Sequence, residues 1–303
     1  MSLVRRALRL LRDVVRHPAN RHRRARAALA VLGWQFWKRV VRRPVIYRLP
    51  WGSSIRCYPH STSTSLAIYT RGWVDPNEMR LVTLFLRRGD VAVDVGANIG
   101  LYTLLCAHIV GDSGHVFSFE PGHPAIDRLR ENVRLNRYTN VTIHAAAVGD
   151  KDGTVSFTPN NDATNRILLS GGSSASSVTC VRLDSILTDV QLAFVKIDVE
   201  GAEPLVLNGA ERAFRRNPPS LVLLEANGRH RDYGFERGYF RDWASAHNYV
   251  FLDFEDKRIR LTPILPIGEN LFLLHRVAIP SARERILALN PRLDFEVSDL
   301  ESP

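Results

Sequence analysis

A short turn that contains two glycines, an aspartate and an asparagine follows a strongly apolar run in the sequence. It belongs to residues 91–100, VAVDVGANIG, and carries Asp94, Gly96, Asn98 and Gly100. The apolar residues before the turn predict a strand, and the pattern of residues 101–110, LYTLLCAHIV, predicts a helix after it. Glycine lets backbone approach a ligand closely, and the start of a helix offers unpaired N–H groups. The turn therefore predicts a small-molecule binding site.

An acidic residue at the end of the next predicted strand narrows the type of ligand. The run VFSFE ends at Glu120, 20 residues after Gly100, and a carboxylate there can accept hydrogen bonds from both hydroxyls of a ribose. The turn lacks the G-x-G-x-x-G pattern that admits a dinucleotide pyrophosphate. Asp94 would repel a phosphate but would attract an ammonium group. A ligand with a ribose and an amino-acid tail fits, and S-adenosylmethionine is the common cofactor of that kind.

A further polar group, KIDVEGAE, contains Lys196, Asp198 and Glu200. In an extended chain these three residues share one face, where charges are costly unless they pair or serve a ligand. We expect Asp198 to contact the methyl donor or the acceptor hydroxyl. Lys196 is a candidate to tune Asp198, or to act as a base if burial lowers its pKa. A purely structural pair between the lysine and a carboxylate is the alternative.

One histidine, His230, is a second candidate for the base or for a donor to a sugar. It lies in the polar stretch NGRHRDYG, just past the fifth predicted strand. Glu203 stands at a predicted helix start, where a carboxylate is favoured for local reasons, and we leave it out of the catalytic set.

The elements that position these groups alternate between strands and helices. Apolar strand-like runs occur at VAVDV, HVFSFE, VTIHAAAV, AFVKIDV and SLVLLE, with helical patterns between several of them. This alternation predicts a parallel sheet covered on both faces. The later runs YVFLDFE, RIRLTPI and NLFLLHR lack long intervening helices and predict an antiparallel edge. Ligands of such open sheets bind at the carboxyl ends of the strands, where the strand order reverses.

Other segments fall outside this alternation. The runs PVIYRLP and SSIRCYP predict a small hairpin, and a helix is expected over residues 77–87. The serine- and glycine-rich residues 170–177 predict a mobile connection that is a candidate lid. We divide the chain into a basic helical extension, a hairpin and helix leading into the core, a cofactor-binding domain and a tail: residues 1–44, 45–90, 91–276 and 277–303.

Several of these motifs together resemble those of the FkbM-type S-adenosylmethionine-dependent methyltransferases. They are DVGANIGLYT, FSFEP, AAVGDKDGTVSF, VRLDSIL and FVKIDVEGAEPLVLNGA, in that order, within residues 66–227. The resemblance implies a Rossmann-like class I methyltransferase fold and O-methylation of a hydroxyl on a sugar, glycolipid or related natural product. It also implies that Asp94, Gly96, Asn98 and Gly100 shape the methionine end of the cofactor site.

By the same resemblance Glu120 holds the ribose, while Ala146 and Ala147 flank the adenine. Glu225 and Asn227 invite comparison with magnesium-dependent O-methyltransferases, in which oxygen ligands hold a divalent ion. In that group the acid and the amide are adjacent, whereas Ala226 separates them here. In a continuing strand both side chains would still share one face, so a metal stays an alternative to the metal-independent site that we expect.

The charge of the chain is concentrated at its start. The net charge is +10, yet residues 1–44 contain twelve arginines and one lysine against one acid, so residues 45–303 carry −2. Residues 3–18 and 28–43 show basic amphipathic patterns, the second with Trp34 and Trp37, which suit an anionic membrane surface. A helical appendage docked on the core is the main alternative, and a transit peptide is a weaker one. No apolar run is long enough to span a membrane.

Composition places the protein among globular enzymes of a reducing compartment. Its three cysteines, Cys57, Cys106 and Cys180, are far apart and predict neither a disulfide framework nor a zinc site. We expect a cytoplasmic protein, peripheral on the inner face of a membrane if the basic segment anchors it, with a lipid-linked glycan as a candidate acceptor. An RNA-modifying methyltransferase and a non-catalytic membrane-associated scaffold are the alternatives. The net negative charge of residues 45–303 disfavours a nucleic acid as the binding partner.

Overall fold

A computed structural model describes residues 3–158, 165–168, 175–255 and 257–297. The helices in these ranges are α1 (Leu3–Arg16), α2 (Arg24–Val40), α3 (Thr62–Thr70), α4 (Pro76–Phe85), α5 (Leu101–Val110), α6 (Ala125–Leu135), α7 (Leu183–Ile186), α8 (Glu203–Gly209), α9 (Glu211–Arg216), α10 (Gly238–Ala246) and α11 (Ile279–Leu289). The strands are β1 (Val45–Arg48), β2 (Ser54–Cys57), β3 (Val91–Val95), β4 (His115–Phe119), β5 (Val141–His144), β6 (Ala147–Val148), β7 (Gly153–Phe157), β8 (Ile167–Leu168), β9 (Ser176–Val181), β10 (Phe194–Ile197), β11 (Leu221–Glu225), β12 (Tyr249–Glu255), β13 (Arg258–Thr262), β14 (Asn270–His275) and β15 (Asp294–Val297). Short 3₁₀ turns cover Pro18–Asn20, Arg229–Tyr233 and Arg276–Ala278.

The main sheet has the order β15-β13-β12-β14-β11-β10-β3-β4-β5. Strands β10, β11, β3, β4 and β5 pair in parallel, whereas β14 pairs antiparallel with both β11 and β12. The strand order reverses between β3 and β10, so a doubly wound sheet places its ligand crevice at their carboxyl ends. This confirms the predicted Rossmann-like α/β sheet with an antiparallel edge.

Apolar layers cover both faces of the sheet. One core contains side chains of α4, α5 and α11, among them Phe85, Leu105 and Ile286. The other contains side chains of α7 to α10, including Phe214 and Phe240. Because both faces are buried, the central strands are apolar on both sides, and the few polar side chains on them stand out as candidates for function.

The third predicted strand, VTIHAAAV, divides between two sheets. Strand β5 ends at His144 in the main sheet, and β6 begins at Ala147 in a four-stranded sheet of order β6-β9-β7-β8. This small sheet carries Phe157 and Ile167, which pack on Ala147. Of the predicted lid, residues 170–174 lie outside the described residues, and Ser176 and Ser177 belong to β9.

Both ends of the chain pack on the core. The predicted hairpin forms as β1 and β2, and the helix expected over residues 77–87 is α4, one residue earlier at its start and two at its end. The tail beyond residue 276 adds α11 to one face and β15 to the sheet edge, so it continues the core. The basic extension docks through one side of its helices, including Val31 and Trp34, against α3 and the hairpin.

Candidate active site

Two adjoining cavities open at the carboxyl ends of β3 and β10, the position predicted from the sheet. Gly96, Asn98 and Asp198 line both of them. We call them the Glu120 cavity and the Asp75 cavity, because Glu120 lines only the first and Asp75 lines only the second. They enclose about 600 and 750 Å³, open mouths included. The three shared residues place the two cavities side by side.

Glu120 follows β4 and lies against the loop after β3. Its Oε2 accepts a hydrogen bond from the N–H of Asn98 at 2.8 Å, and its Oε1 accepts one from the N–H of Gly122 at 2.8 Å. Burial raises the pKa of Glu120 to about 7, although both N–H donors favour the ionised form. Since each carboxylate oxygen has two lone pairs, each can still accept one ligand hydroxyl. The geometry fits a ligand diol.

The rest of the Glu120 cavity is mostly apolar. Ala146, Ala147, Phe119, Phe157 and Ile167 line it. Aromatic and aliphatic walls beside one diol-binding carboxylate suit a flat base attached to a ribose. The role assigned to the two alanines at the adenine remains a prediction.

Each glycine of the turn makes room for protein atoms. A Cβ on Gly96 would lie 1.8 Å from the carbonyl oxygen of Asp198, and a Cβ on Gly100 would lie 2.6 Å from Cδ1 of Leu129. Both glycines have positive φ angles, 78° and 93°. Gly100 is not among the described residues that line either cavity. Gly96 also lines both cavities, so the close approach of a ligand to its backbone stays a prediction, whereas Gly100 lies at the start of α5.

Asn98 connects the two cavities. It has a φ of 50° in the left-handed region, which asparagine tolerates better than most residues. Its Oδ1 is buried and lacks a hydrogen-bond partner among the described residues. A buried carbonyl of this kind is costly unless something donates to it, so it is available to a ligand donor.

Two buried residues, Asp94 and Lys196, form an ionic cluster with the partly exposed Asp198, and all three line the Asp75 cavity. Lys196 lies opposite Asp94 in the pairing of β10 with β3. Its Nζ is 3.1 Å from Oδ2 of Asp198 and 3.7 Å from Oδ1 of Asp94. Oδ2 of Asp94 accepts a hydrogen bond from the Thr103 hydroxyl at 2.6 Å. Oδ1 of Asp94 has no hydrogen-bond partner in the described part of the chain.

This cluster corrects the prediction that Lys196 acts as a base. Burial lowers the pKa of Lys196, but the carboxylates of Asp198 and Asp94 outweigh burial, and the pKa ends above its ordinary value. Lys196 therefore stays an ammonium group at neutral pH. It balances charge between two carboxylates and holds Asp198 at the point where the cavities meet.

The extended pattern of KIDVEGAE ends at Asp198. Glu200 has a φ of 59°, so the chain turns, and its carboxylate lies 3.3 Å from Nε of Arg229. Glu203 accepts hydrogen bonds from the N–H groups of Val199 and Gly201 at 3.0 and 3.1 Å. Glu200 lines the Glu120 cavity, while Glu203 has the local role expected for it.

His230 does not occupy the position predicted for a base or sugar-binding residue. Only 1% of it is exposed, its ring meets the edge of Phe240, and it is not among the described residues lining either cavity. Burial lowers its pKa. The polar sequence around it suggested an exposed loop, but the 3₁₀ turn directs this one side chain into the core. His230 is therefore withdrawn from the catalytic set.

Glu225 and Asn227 are the two residues that the sequence offered as oxygen ligands for magnesium. Oδ1 of Asn227 accepts the N–H of Arg229 at 3.0 Å. Glu225 is partly buried, and burial together with the carboxylates of Asp198 and Glu200 raises its pKa. Within the described ranges no group of three or more His, Cys, Asp or Glu side chains is placed to hold a metal ion.

Sequence reasoning missed Asp75 and Tyr102. Asp75 precedes α4 and lines the Asp75 cavity with Tyr102, whose hydroxyl donates to Oδ2 of Asp75 at 3.1 Å. Burial, then the Glu78 carboxylate, raises the pKa of Asp75 to about 6, and Lys196 opposes that rise. The Asp-Pro pair at residues 75–76 is a common helix start, yet the Asp75 side chain makes no capping hydrogen bond to α4. The missing cap is visible only in three dimensions.

Comparison with known proteins identifies the family. Residues 94–251 match the methyltransferase FkbM domain. Hexuronic acid methyltransferase AglP of Haloferax volcanii is 29% identical over 150 residues, which cover 48% of this chain and 60% of that protein. The 31-O-demethyl-FK506 methyltransferase FkbM of Streptomyces tacrolimicus is 31% identical over 163 residues, 42% of this chain and 62% of that protein. The chain thus spans about three fifths of the length of these relatives.

A solved structure resembles the chain at lower identity. Methyltransferase FkbM from Methylobacillus flagellatus KT superposes with a TM-score of 0.42 at 17% identity, over 82% of this chain and 60% of that one. The matched domain itself spans more than half of the chain and contains the β3 turn, Glu120 and Asp198. The chain therefore belongs to the FkbM methyltransferase family, whose members have the class I fold and use S-adenosylmethionine.

Proposed function

We propose that this protein transfers the methyl group of S-adenosylmethionine to a hydroxyl oxygen of a sugar or glycolipid. The observation that carries the proposal is the meeting of two cavities at Asp198, one with a diol-accepting carboxylate and one with a second carboxylate, Asp75. Methyl transfer requires the donor and the acceptor to meet at one point. The ribose and base of the donor would fill the Glu120 cavity, its tail would reach Asp94 in the Asp75 cavity, and the acceptor would occupy the rest of the Asp75 cavity.

The residues of the site fit the cofactor. Glu120 can accept both ribose hydroxyls, and the buried oxygens Asn98 Oδ1 and Asp94 Oδ1, without partners in the described chain, can receive hydrogen bonds from an amino-acid tail. The acids Asp94 and Asp198 also favour a ligand with positive charge. When bound, S-adenosylmethionine supplies an electrophilic methyl group that leaves its sulfonium sulfur as a neutral thioether.

The chain's own residues then manage the acceptor hydroxyl. Asp75 accepts the hydroxyl proton as the oxygen–methyl bond forms, and the Tyr102 hydroxyl orients the Asp75 carboxylate for this step. A pKa near 6 leaves Asp75 mostly ionised at neutral pH yet basic enough to hold a proton. Asp198, paired with Lys196, positions the acceptor hydroxyl or the donor at the junction of the cavities.

A saccharide is the acceptor class that this cavity supports. Thr62 and Ser63 supply hydroxyl groups to its wall, while Leu66, Val74 and Ile99 supply apolar surface. A sugar attached to an apolar group uses both kinds of surface. AglP is named for hexuronic acid, and a lipid-linked glycan would combine a sugar with the apolar part.

The experiment is methyl transfer from tritiated S-adenosylmethionine to fractionated lipids, glycans and RNA. We expect label in the glycolipid or glycan fraction that glycosidase releases and nuclease does not. Label released by nuclease would show an RNA-modifying enzyme instead. Cofactor binding without transfer to any fraction would leave a scaffold that retains only the fold.

A further inference from the structure

The second helix has two apolar faces, and only one of them packs on the protein. Ala27, Val31 and Trp34 of α2 are buried against α3 and the hairpin. The Trp34 indole N–H donates to Oγ of Ser65 at 2.9 Å, which fixes the rotation of α2 about its axis. The basic extension is therefore docked on the core, as one alternative from the sequence predicted.

The opposite face of α2 carries an exposed apolar stripe. Leu29, Leu32, Phe36 and Val40 are 67, 60, 63 and 62% exposed. Their spacing of three and four residues aligns them along one side of the helix. On α1, which packs against α2, Leu8 is also exposed. Five of the twelve large apolar side chains most exposed among the described residues thus lie on these two helices.

Arginines surround this stripe. Arg39 and Arg26 are exposed on α2 and fall on either side of the stripe at helical spacing. Leu8 shares a surface groove with arginines of α1, including Arg9 and Arg12. The only acid in residues 1–44 is Asp13, which lies 3.8 Å from Nε of Arg9 and 3.0 Å from Arg12. The surface is apolar along its centre and strongly positive around it.

We propose that this outer face of α1 and α2 docks on an anionic phospholipid bilayer. A stripe of leucine and phenylalanine with arginines on either side matches the boundary between acyl chains and negatively charged headgroups. In the described part of the chain no helix is long and apolar enough to cross a membrane, so contact would be with the surface of one leaflet.

The helix that carries this face, α2, packs through its other side on α3, which lines the acceptor cavity. Ser65 of α3 binds Trp34, while Thr62, Ser63 and Leu66 of the same helix line the Asp75 cavity. Membrane contact would hold that cavity near the leaflet, where a lipid-linked acceptor would present its sugar. This last step rests on the proposed function, whereas the membrane contact itself does not.

The test is sedimentation of the whole chain with vesicles of phosphatidylcholine with or without phosphatidylglycerol. We expect the parent protein to sediment with the anionic vesicles at low salt, to bind neutral vesicles weakly, and to be released by high salt because the attraction is partly screened. The variant Leu32→Gln/Phe36→Gln keeps good helix formers at exposed positions and should bind about tenfold more weakly or worse.

Matched controls separate the stripe from general effects. Ile264→Gln/Ile267→Gln removes two apolar side chains that are 74 and 98% exposed elsewhere, and should sediment like the parent. Arg39→Gln/Arg42→Gln/Arg43→Gln should also lose about tenfold or more of the binding. In calorimetry all three variants should bind S-adenosylmethionine with the same affinity as the parent protein. This measurement shows whether the variants are folded without relying on methyl transfer.

Three results would overturn the proposal. The parent protein could fail to sediment with anionic vesicles, or the stripe variant could bind them as tightly as the parent. The parent could also form a dimer without lipid that Leu32→Gln/Phe36→Gln dissociates, in which case the stripe is an interface between copies of this chain. None of these results would affect the proposed methyl transfer, because cofactor affinity and turnover on a soluble glycan are measured without vesicles.

Discussion

Replacing Glu120 by glutamine changes the one side chain that joins the cofactor turn to the predicted ribose position. The two carboxylate oxygens accept the N–H groups of Asn98 and Gly122, both at 2.8 Å. Glutamine has one carbonyl oxygen and one NH₂ group. One of the two backbone N–H groups would therefore face this NH₂ group, which cannot accept its hydrogen bond. The ligand would lose a charged acceptor at the same time.

The size of the effect follows from the loss of a charged acceptor. Hydrogen bonds to charged groups contribute about 1.5–3 kcal/mol each, and every 1.4 kcal/mol changes an affinity about tenfold. We expect Glu120→Gln to raise the Kd for S-adenosylmethionine about 10- to 100-fold in isothermal titration calorimetry. A melting curve on the same sample shows whether the variant is folded.

The pH dependence supplies an internal control. Glu120 has a raised pKa of about 7 in the free protein, and a ligand diol favours its ionised form. Affinity for S-adenosylmethionine should therefore fall as the pH decreases below about 7, by up to about tenfold per pH unit. The variant lacks this titration and should show a flatter profile. An unchanged Kd, or the same profile in both proteins, would refute the assignment of Glu120 to the ribose.

Three further predictions concern the remaining acids. Asp198→Asn should keep much of the cofactor affinity and lower methyl transfer about tenfold or more; unaltered turnover would leave Asp198 with a structural role only. Asp75→Asn should lower kcat about tenfold or more with little change in the Kd for S-adenosylmethionine, and should remove a kinetic pKa near 6 from the pH–rate profile; a retained profile would exclude Asp75 as the base. Glu225→Gln should raise Tm by a few degrees at pH 8, and the gain should shrink towards pH 4.5. Folding raises the pKa of Glu225, so ionisation of this side chain destabilises the folded state increasingly as the pH rises. Scanning calorimetry at both pH values measures it, and an equal change at both would contradict this explanation.

The local sequence was sufficient for the cofactor side of the site. The strand, turn and helix of residues 91–110 and the acid at Glu120 are encoded by patterns that span a few residues each, and the parallel pairing of the sheet follows from the alternation of strands and helices. These features depend on backbone geometry that is common to doubly wound sheets.

The acceptor side depended on contacts between distant segments. The pKa of Lys196 is raised by Asp198, two residues away in the sequence, and also by Asp94, which lies opposite it on a strand more than a hundred residues earlier. His230 is buried against the ring of Phe240. Asp75 resembles an ordinary helix cap in the sequence, whereas in the structure its carboxylate accepts a hydrogen bond from the Tyr102 hydroxyl. Helix α3 was not predicted because its sequence, TSTSLAIYT, is rich in threonine and serine, which favour helices weakly. Apart from the pairing of Lys196 with Asp198, none of these relations has a local signal.

The identity of the bond formed on the acceptor tests the central claim most directly. The purified protein would be incubated with tritiated S-adenosylmethionine and a glycolipid extract, and the labelled product treated with mild alkali and then hydrolysed in acid to monosaccharides. We expect the label to survive alkali and to remain on a sugar as a methyl ether, with the signal strongly reduced for Asp75→Asn. Label that mild alkali releases would show a methyl ester on a carboxyl group, and label absent from every sugar would contradict methylation of a sugar hydroxyl.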